Sequence, residues 1–561
     1  MKKVFTRFFG ICAFAFFSAG TPLVGAEDAA SRVFVVAASN DADSIELAEY
    51  YMSRRGIPAE NLIALALPTE ETVSWKSFAD EIHAPLLHEL SRRGLIDGTI
   101  SQKRDSAGRL ILEFPSGFDP ENAIAGTKIA YLVLCRGVPL RIKNDEAQLP
   151  LLRPAKKGEP APKRMPLETN CASVDSELAL IAVPGLPVNG AVQNPFFKDF
   201  NAKLPKKLFL KVARLDGITL RDAKSLVDNA LAAEKKGLMG RAYIDIGGPH
   251  KQGDDWLEKT EKIVGALGFD TSVERSKKLM SATARYDAPV FYFGWYTQNV
   301  GGFFLDSNFR FPAGACAIHI HSFSATSMRS RTAWTPGLVA RGATVTVGNV
   351  YEPYLGFSHH PHYFAEALAA GKCAGDAAAF ANPAFSWQTI FVGDPLYRPF
   401  KKTLQEQIEE SKTGFPTRLH QYAFLRAANL ARNEKKDSEA DKILNSARFY
   451  APGAALEYAI AKNNFSKTHR LEWKHKPSNL AFENPGLILE LIRFWANGGN
   501  AELAVKFYNE MLSRNFVPDH VRSVVLAEAI VCAEKHHVPA APVAAWRDEL
   551  ARLKAKEERR K

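Results

Sequence analysis

Cysteine is scarce, with six in 561 residues, and one of these, Cys12, lies in the first apolar run. The other five, Cys135, Cys171, Cys316, Cys373 and Cys532, are odd in number and far apart, with no CxxC pair. That excludes a disulfide framework and a zinc knuckle, while leaving room for one disulfide. Charged residues are also few, at 24%. Lysine plus arginine outnumber aspartate plus glutamate by 72 to 61, a formal +11 that falls to about +8 without Lys2, Lys3 and Arg7. The basic stretches 153–164 and 552–561 read as solvated loop and tail. Without a basic stripe on one face, nucleic acid is not an expected partner. What is abundant is apolar surface, 46% of the chain, enough for two or three packed domains and too much for a disordered protein.

The first 26 residues read as a signal peptide. Lys2, Lys3 and Arg7 give a positive start, 8–19 is apolar, and Val24, Gly25 and Ala26 are small residues before Glu27. The apolar run is shorter than the roughly 20 residues of a membrane span, and no lipobox precedes Cys12. No transmembrane segment is expected after cleavage, so the expectation is an exported protein, periplasmic or extracellular.

From about 30 to 400 the chain alternates strand-like and helix-like runs. Val33–Ala38 is rich in β-branched residues, 44–55 carries Ile45, Leu47, Ala48 and Tyr51 at helical spacing and stops at Gly56, and 62–67 is apolar again. That order predicts parallel strands under covering helices. Further strands are expected at 129–134, 208–212, 242–246, 290–293, 315–320 and 343–347, with helices at 223–234, 256–267 and 364–370. The Pro- and Lys-rich stretch 153–166 reads as an exposed insertion. Past Phe400 paired amphipathic helices take over. Tyr422, Leu425, Ala428 and Ala431 form one stripe, followed by Ala440, Leu444, Ala447 and Pro452. Leu487, Leu491 and Phe494 form another, followed by Ala504, Phe507, Tyr508, Leu512 and Pro518. A small residue early in the second helix of each pair and a closing proline resemble tetratricopeptide repeats, beside the plainer alternative of a helical bundle. Either presents a surface for a protein or peptide partner. The expected organisation is a leader (1–26), α/β halves at 27–200 and 201–402, and an all-α domain at 403–561.

In parallel sheets, chemistry gathers beyond the carboxyl ends of strands. Those positions hold Trp295 after 290–293, His321, Ser322 and Ser324 after 315–320, and Glu352 after 343–347. A serine needs a base and an orienting acid. Ser322 or Ser324, with His321, His359 or His360 and with Glu352 or Asp175, can supply that set, although no GxSxG elbow surrounds either serine. The plainer alternative is that the two hydroxyls end a strand and cap a helix starting near Ser327. His359, His360 and His362 invite a metal reading, but adjacent side chains diverge and HExxH is missing, so a structural role is the simpler one. Asp175 and Glu177 share a face if 174–181 is extended, where they can bind an ion or move a proton, and an exposed strand edge explains them equally well. Gly247–Gly248 follows a strand without a phosphate-binding fingerprint, so no nucleotide is expected.

HIHSFSATSMR at 319–329 and RGATVTVGNVYEP at 341–353 stand with YLVLCRGVPLRI at 131–142, SVDSELAL at 173–180 and VARLDG at 212–217. With YFGWY at 292–296 and FVGDPLYRPF at 391–400, the combination resembles a family of uncharacterised exported bacterial proteins that co-occur with the exosortase sorting system. A more distant similarity is to gingipain-type cysteine peptidases, which implies a caspase-like, doubly wound, mainly parallel fold. In them one strand ends in a histidine turn, the next ends at the nucleophilic cysteine, and a Gly-Asp-Pro motif follows. Trp295 stands where that histidine would be, and Ser322 or Ser324 where the cysteine would be. The cysteine mechanism therefore does not carry over, because an indole accepts no proton. Two expectations follow. One is a hydrolase of peptide or envelope-associated substrate, with chemistry near His321, Ser322 and Glu352. The other is a non-catalytic envelope-binding protein on a peptidase-like scaffold. The polar strand ends lean toward the first, and neither needs a cofactor. A hydrolase predicts His321 bonded to a serine hydroxyl, and a scaffold predicts Trp295 filling that space.

Overall fold

The structure is a computed structural model describing residues 26–558, apart from 152–162, 166, 187–188, 200–203, 282–283, 307, 414–418, 448–484, 514–516, 518 and 540. The expected leader up to residue 25 with Cys12, most of the 153–166 insertion, Pro452 and Pro518 lie outside the described residues.

Ten strands make one sheet: β1 (Val33–Ala38), β2 (Leu62–Leu65), β3 (Tyr131–Cys135), β4 (Val212–Leu215), β5 (Arg241–Asp245), β6 (Thr271–Glu274), β7 (Pro289–Gly294), β8 (Cys316–His319), β9 (Val345–Asn349) and β10 (Thr389–Gly393). Their spatial order is β6-β5-β7-β8-β9-β10-β4-β3-β1-β2. Pairing is mostly parallel, with Val35 opposite Leu62, Val33 opposite Tyr131, Leu132 opposite Val212 and Phe291 opposite Cys316. β10 runs antiparallel to β9 from Val345 opposite Gly393 to Asn349 opposite Thr389, and meets β4 where Arg214 faces Val392. The halves expected at 27–200 and 201–402 therefore share one sheet, in which β4, from the second stretch of chain, pairs with β3 of the first. Joining the halves leaves fewer unpaired backbone edges than two separate sheets would.

Every residue of β1, β3, β5, β7, β8, β9 and β10 is buried. Strands covered on both faces read as unbroken apolar runs, without alternation. On one face lie helices Ala42–Arg55, Leu220–Lys236 and Lys251–Ala266, with Leu47, Leu226 and Leu257 in a common core. Trp75, Phe78 and Leu86 fill the core of the opposite face around β1 and β3. Local signals start and stop these helices. Asp41 accepts the amides of Asp43 and Ser44, Gly56 closes the first helix at φ +66, and Thr219 with Asp222 forms a capping box. The Gly-Asp-Pro motif is structural here. The fully buried Asp394 carboxylate, just past β10, accepts the Tyr51 hydroxyl at 2.9 Å and the Arg55 guanidinium at 2.5 Å.

After residue 403 the described chain is helical: Leu404–Thr413, His420–Asn433, Asp437–Ala447, Pro485–Asn497, Ala501–Ser513, Asp519–Lys535 and Val543–Glu558. Tyr422, Leu425, Ala428 and Ala431 are buried as one stripe against Ala440, Leu444 and Ala447. Tyr422 also donates its hydroxyl to Asp287 at 2.5 Å, docking this pair on the α/β body. All five cysteines from Cys135 onward are free, so the disulfide that the sequence left open is not formed. Among the described residues no helix is long and apolar enough to cross a membrane.

Candidate functional site

Four strand ends share one edge. Arg329, beyond β8, reaches the Asp216 carboxylate at 2.6 Å and the Gly217 carbonyl beyond β4. Arg136, just after β3, donates to the Gly217 and Ile218 carbonyls at 2.9 and 3.2 Å. Arg141 donates to the Val350 carbonyl after β9 at 3.0 Å and lies 4.7 Å over the Tyr351 ring. Three arginines thus clamp the loops that follow these strands.

Trp295 leaves β7 and turns inward. Its indole Nε1 donates to Asp254 at 2.7 Å, and the same carboxylate oxygen accepts the Gly247 and Gly248 amides at 2.9 and 3.0 Å. The ring is held so closely that a Cβ on Gly248 or Gly253 would lie 2.1 or 2.3 Å from it. Gly253→Ala is expected to destabilise the chain by about 1–3 kcal/mol through overpacking. Urea unfolding of the variant checks this, and an unchanged midpoint would mean that the indole is not wedged there.

Tyr296, not Trp295, faces His321, with ring centroids 4.6 Å apart. The Nδ1–H of His321 donates to the Ser322 carbonyl, which leaves Nε2 with a lone pair. Partial burial lowers the His321 pKa, against smaller raising effects of that carbonyl and of the Glu352 charge. No serine hydroxyl among the described residues bonds this ring. Ser324 is buried, and its Oγ accepts the Asn349 amide of β9 at 3.0 Å while its carbonyl accepts the Thr335 amide. Ser322 is nearly buried, and its hydroxyl makes no hydrogen bond among the described residues. Glu352 accepts the Tyr354 amide at 3.2 Å rather than orienting the imidazole. The helix expected near Ser327 begins at Trp334 instead, because the Ser327 hydroxyl and the Met328 amide are both bound by Glu71.

Asp175 and Glu177 are not on an extended strand. Ser173 caps a short helix, Val174–Leu178, by accepting the Ser176 amide, which is the local signal that outweighs the extended reading. Both carboxylates are buried against arginine: Asp175 is bridged to Arg214 at 2.5 Å, and Glu177 to Arg109 at 2.8 Å. Burial raises the Asp175 carboxyl's pKa, and Arg214 opposes that effect. His359, His360 and His362 lie at the start of helix Pro361–Ala369, and the rings of His360 and His362 join an aromatic stack. His360 lies 3.9 Å from the Trp256 ring, and His362 lies 3.9 Å from Tyr363. Among the described residues no group of three or more ligand side chains could hold a metal ion. The edge therefore gathers His321, Ser322, Ser324 and Glu352, without assembling them as a triad, and engages Asp175, Trp295 and the three histidines elsewhere.

Several residues at this edge escape the sequence patterns. His319, the last residue of β8, is sandwiched 3.6 Å from Trp334, with Nδ1 3.0 Å from the Tyr292 hydroxyl. Burial holds it neutral, its pKa well below the ordinary value. Asp245, at the end of β5, is pushed up to about 7, chiefly by burial. A lone acid inside an apolar strand run is the signal that could have found it. Phe323 and Tyr354 have left-handed backbones, at φ +59 and +62, and are 48% and 37% exposed. Comparison with protein-family models, curated proteins and solved structures found no match to the chain.

Proposed function

We propose that this chain is an exported envelope protein whose α/β body, caspase-like in descent, is a binding platform rather than a hydrolase. On this reading a protein or peptide partner docks on the carboxyl edge of the sheet, and the tetratricopeptide-like helices offer a second contact surface. The carrying observation is the backbone strain at Phe323 and Tyr354. Two large aromatic side chains are exposed from left-handed positions that cost of order 1–3 kcal/mol each, and such strain is retained where it serves recognition. Tyr296 adds a third exposed ring beside His321. Aromatic rims of this kind anchor protein interfaces. The leader-like first 26 residues and the resemblance to exosortase-associated proteins support an envelope location.

The second reading, a serine hydrolase, draws on one observation: His321 keeps an Nε2 lone pair, and the hydroxyl of the following residue, Ser322, makes no hydrogen bond among the described residues. A fluorophosphonate probe separates the two. The expected result is no labelling of the folded chain and loss of captured envelope partner in Phe323→Ser. Labelling that disappears in Ser322→Ala and weakens in His321→Ala would replace the binding reading with the hydrolase.

A further inference from the structure

At the other edge of the sheet, where β3 begins and β10 ends, lies a cavity of about 880 Å³. That is the size range of a small-molecule site. Eight arginines and lysines line it, against two carboxylates among the described residues, Glu234 and Asp376. Both carboxylates are already engaged. Glu234 is bridged by Arg55 at 2.9 Å and Lys401 at 3.3 Å and also accepts the Arg398 amide. Asp376 accepts the Lys211 ammonium and the Tyr131 hydroxyl, each at 2.6 Å. Counting Asp394 and Asp228 just behind the wall still leaves four more cations than carboxylates.

The surplus sits on side chains with little to hold. Arg32 gives one nitrogen to the Gly126 carbonyl at 3.2 Å, while its buried Nε has no partner among the described residues. The Arg398 side chain reaches, among the described residues, only the Gly371 carbonyl, at 3.5 Å. Lys207 is exposed on the wall and makes no side-chain hydrogen bond or ion pair among the described residues. Arg54 is about half exposed and 3.5 Å from Asp228. The remaining wall is apolar, formed by Ile129, Tyr131, Phe196, Phe209, Leu231 and Leu396. Lys211 lies about equally over the Phe196 and Tyr131 rings, at 5.1 and 5.6 Å.

We propose that this cavity binds a small organic anion carrying at least two negative charges, its phosphate or carboxylate groups held by Arg32, Arg398 and Lys207 and its body resting on the Tyr131–Phe196 wall. Guanidinium forks suit the planar or tetrahedral oxygens of such groups. A single charge would leave most of the surplus uncompensated, so a polyanion fits best. This site lies apart from the aromatic strand-end edge and does not depend on the partner-binding proposal.

Calorimetric titration of the full chain with inorganic pyrophosphate, and separately with citrate, tests it. Saturable one-site binding of either probe is expected, weakened about tenfold in Arg32→Gln and in Lys207→Gln, as the loss of a charged hydrogen bond implies. Tighter binding of pyrophosphate would assign phosphate as the recognised group, and tighter binding of citrate would assign carboxylate. Lys207 holds no other residue, so its variant keeps the test valid if Arg32→Gln misfolds. Absence of saturable binding by both probes overturns the proposal. So does equal weakening by Lys76→Gln, a lysine paired with Asp80 away from the cavity, because that would mean diffuse surface attraction.

Discussion

Replacing Asp175 with alanine is expected to cost the fold about 3–5 kcal/mol, the usual consequence of leaving a buried charge without its partner. The charge in question is Arg214, which is fully buried and bound by Asp175 and by the Val138 and Pro139 carbonyls, with Asp216 at 3.6 Å. A guanidinium cannot shed its proton to escape that environment. Guanidinium unfolding of the full chain measures the loss. The double variant Asp175→Leu with Arg214→Met is expected to recover most of it, because removing both charges removes the desolvation cost with them. If Asp175→Ala does not fold, the double variant still decides the matter. A single variant of wild-type stability would return Asp175 to the pool of catalytic acids that its sequence position suggested.

That pair also shows where sequence legibility ended. The β–α–β rhythm was readable because strands buried on both faces leave continuous apolar runs, and 242–246, 290–293, 315–320 and 343–347 each overlap a strand. The run at 208–212 was placed too early, since β4 begins only at Val212. β6 was missed because Thr271–Glu274 is half-buried and polar, with no apolar run to mark it. The single sheet could not be read either, because nothing local tells β10 that its neighbours are β9 and β4. Strand-end placement named loops that do meet at one edge, but not the partnerships within them. Which carboxylate meets which cation depends on chain segments far apart in sequence, as with Glu71 and Ser327 or Arg109 and Glu177. Trp295 was legible as the residue that follows a strand, whereas its lock onto Asp254 needed the adjacent helix.

Acidification from pH 7 to 5 is expected to destabilise the chain steadily. Burial holds His83, His359 and His362 at about 3 and His360 at about 4, and keeps His319 well below the ordinary value. In the unfolded chain these imidazoles titrate near the ordinary value of about 6.5. Below that pH the unfolded state takes up protons that the folded state refuses, so stability falls as pH falls. Three carboxyls work the other way. Asp245, raised to about 7, and Asp175 and Glu177, also raised by burial, bind protons earlier in the folded state and so add stability on acidification. The excluded imidazoles outnumber these carboxyls, so unfolding takes up protons on balance and stability falls with pH near 5.5, each excluded imidazole contributing about 1.4 kcal/mol per pH unit well below its unfolded value. Urea midpoints across that range measure the slope. His359→Leu is expected to flatten it by about one proton, because the Nδ1 of His359 has no partner to lose among the described residues and its ring is already buried as a neutral group. Asp245→Asn is expected to steepen it. A midpoint that stays constant or rises toward pH 5 would mean that the histidine stack around Trp256 admits protons while folded, and that its rings are not sealed in the core.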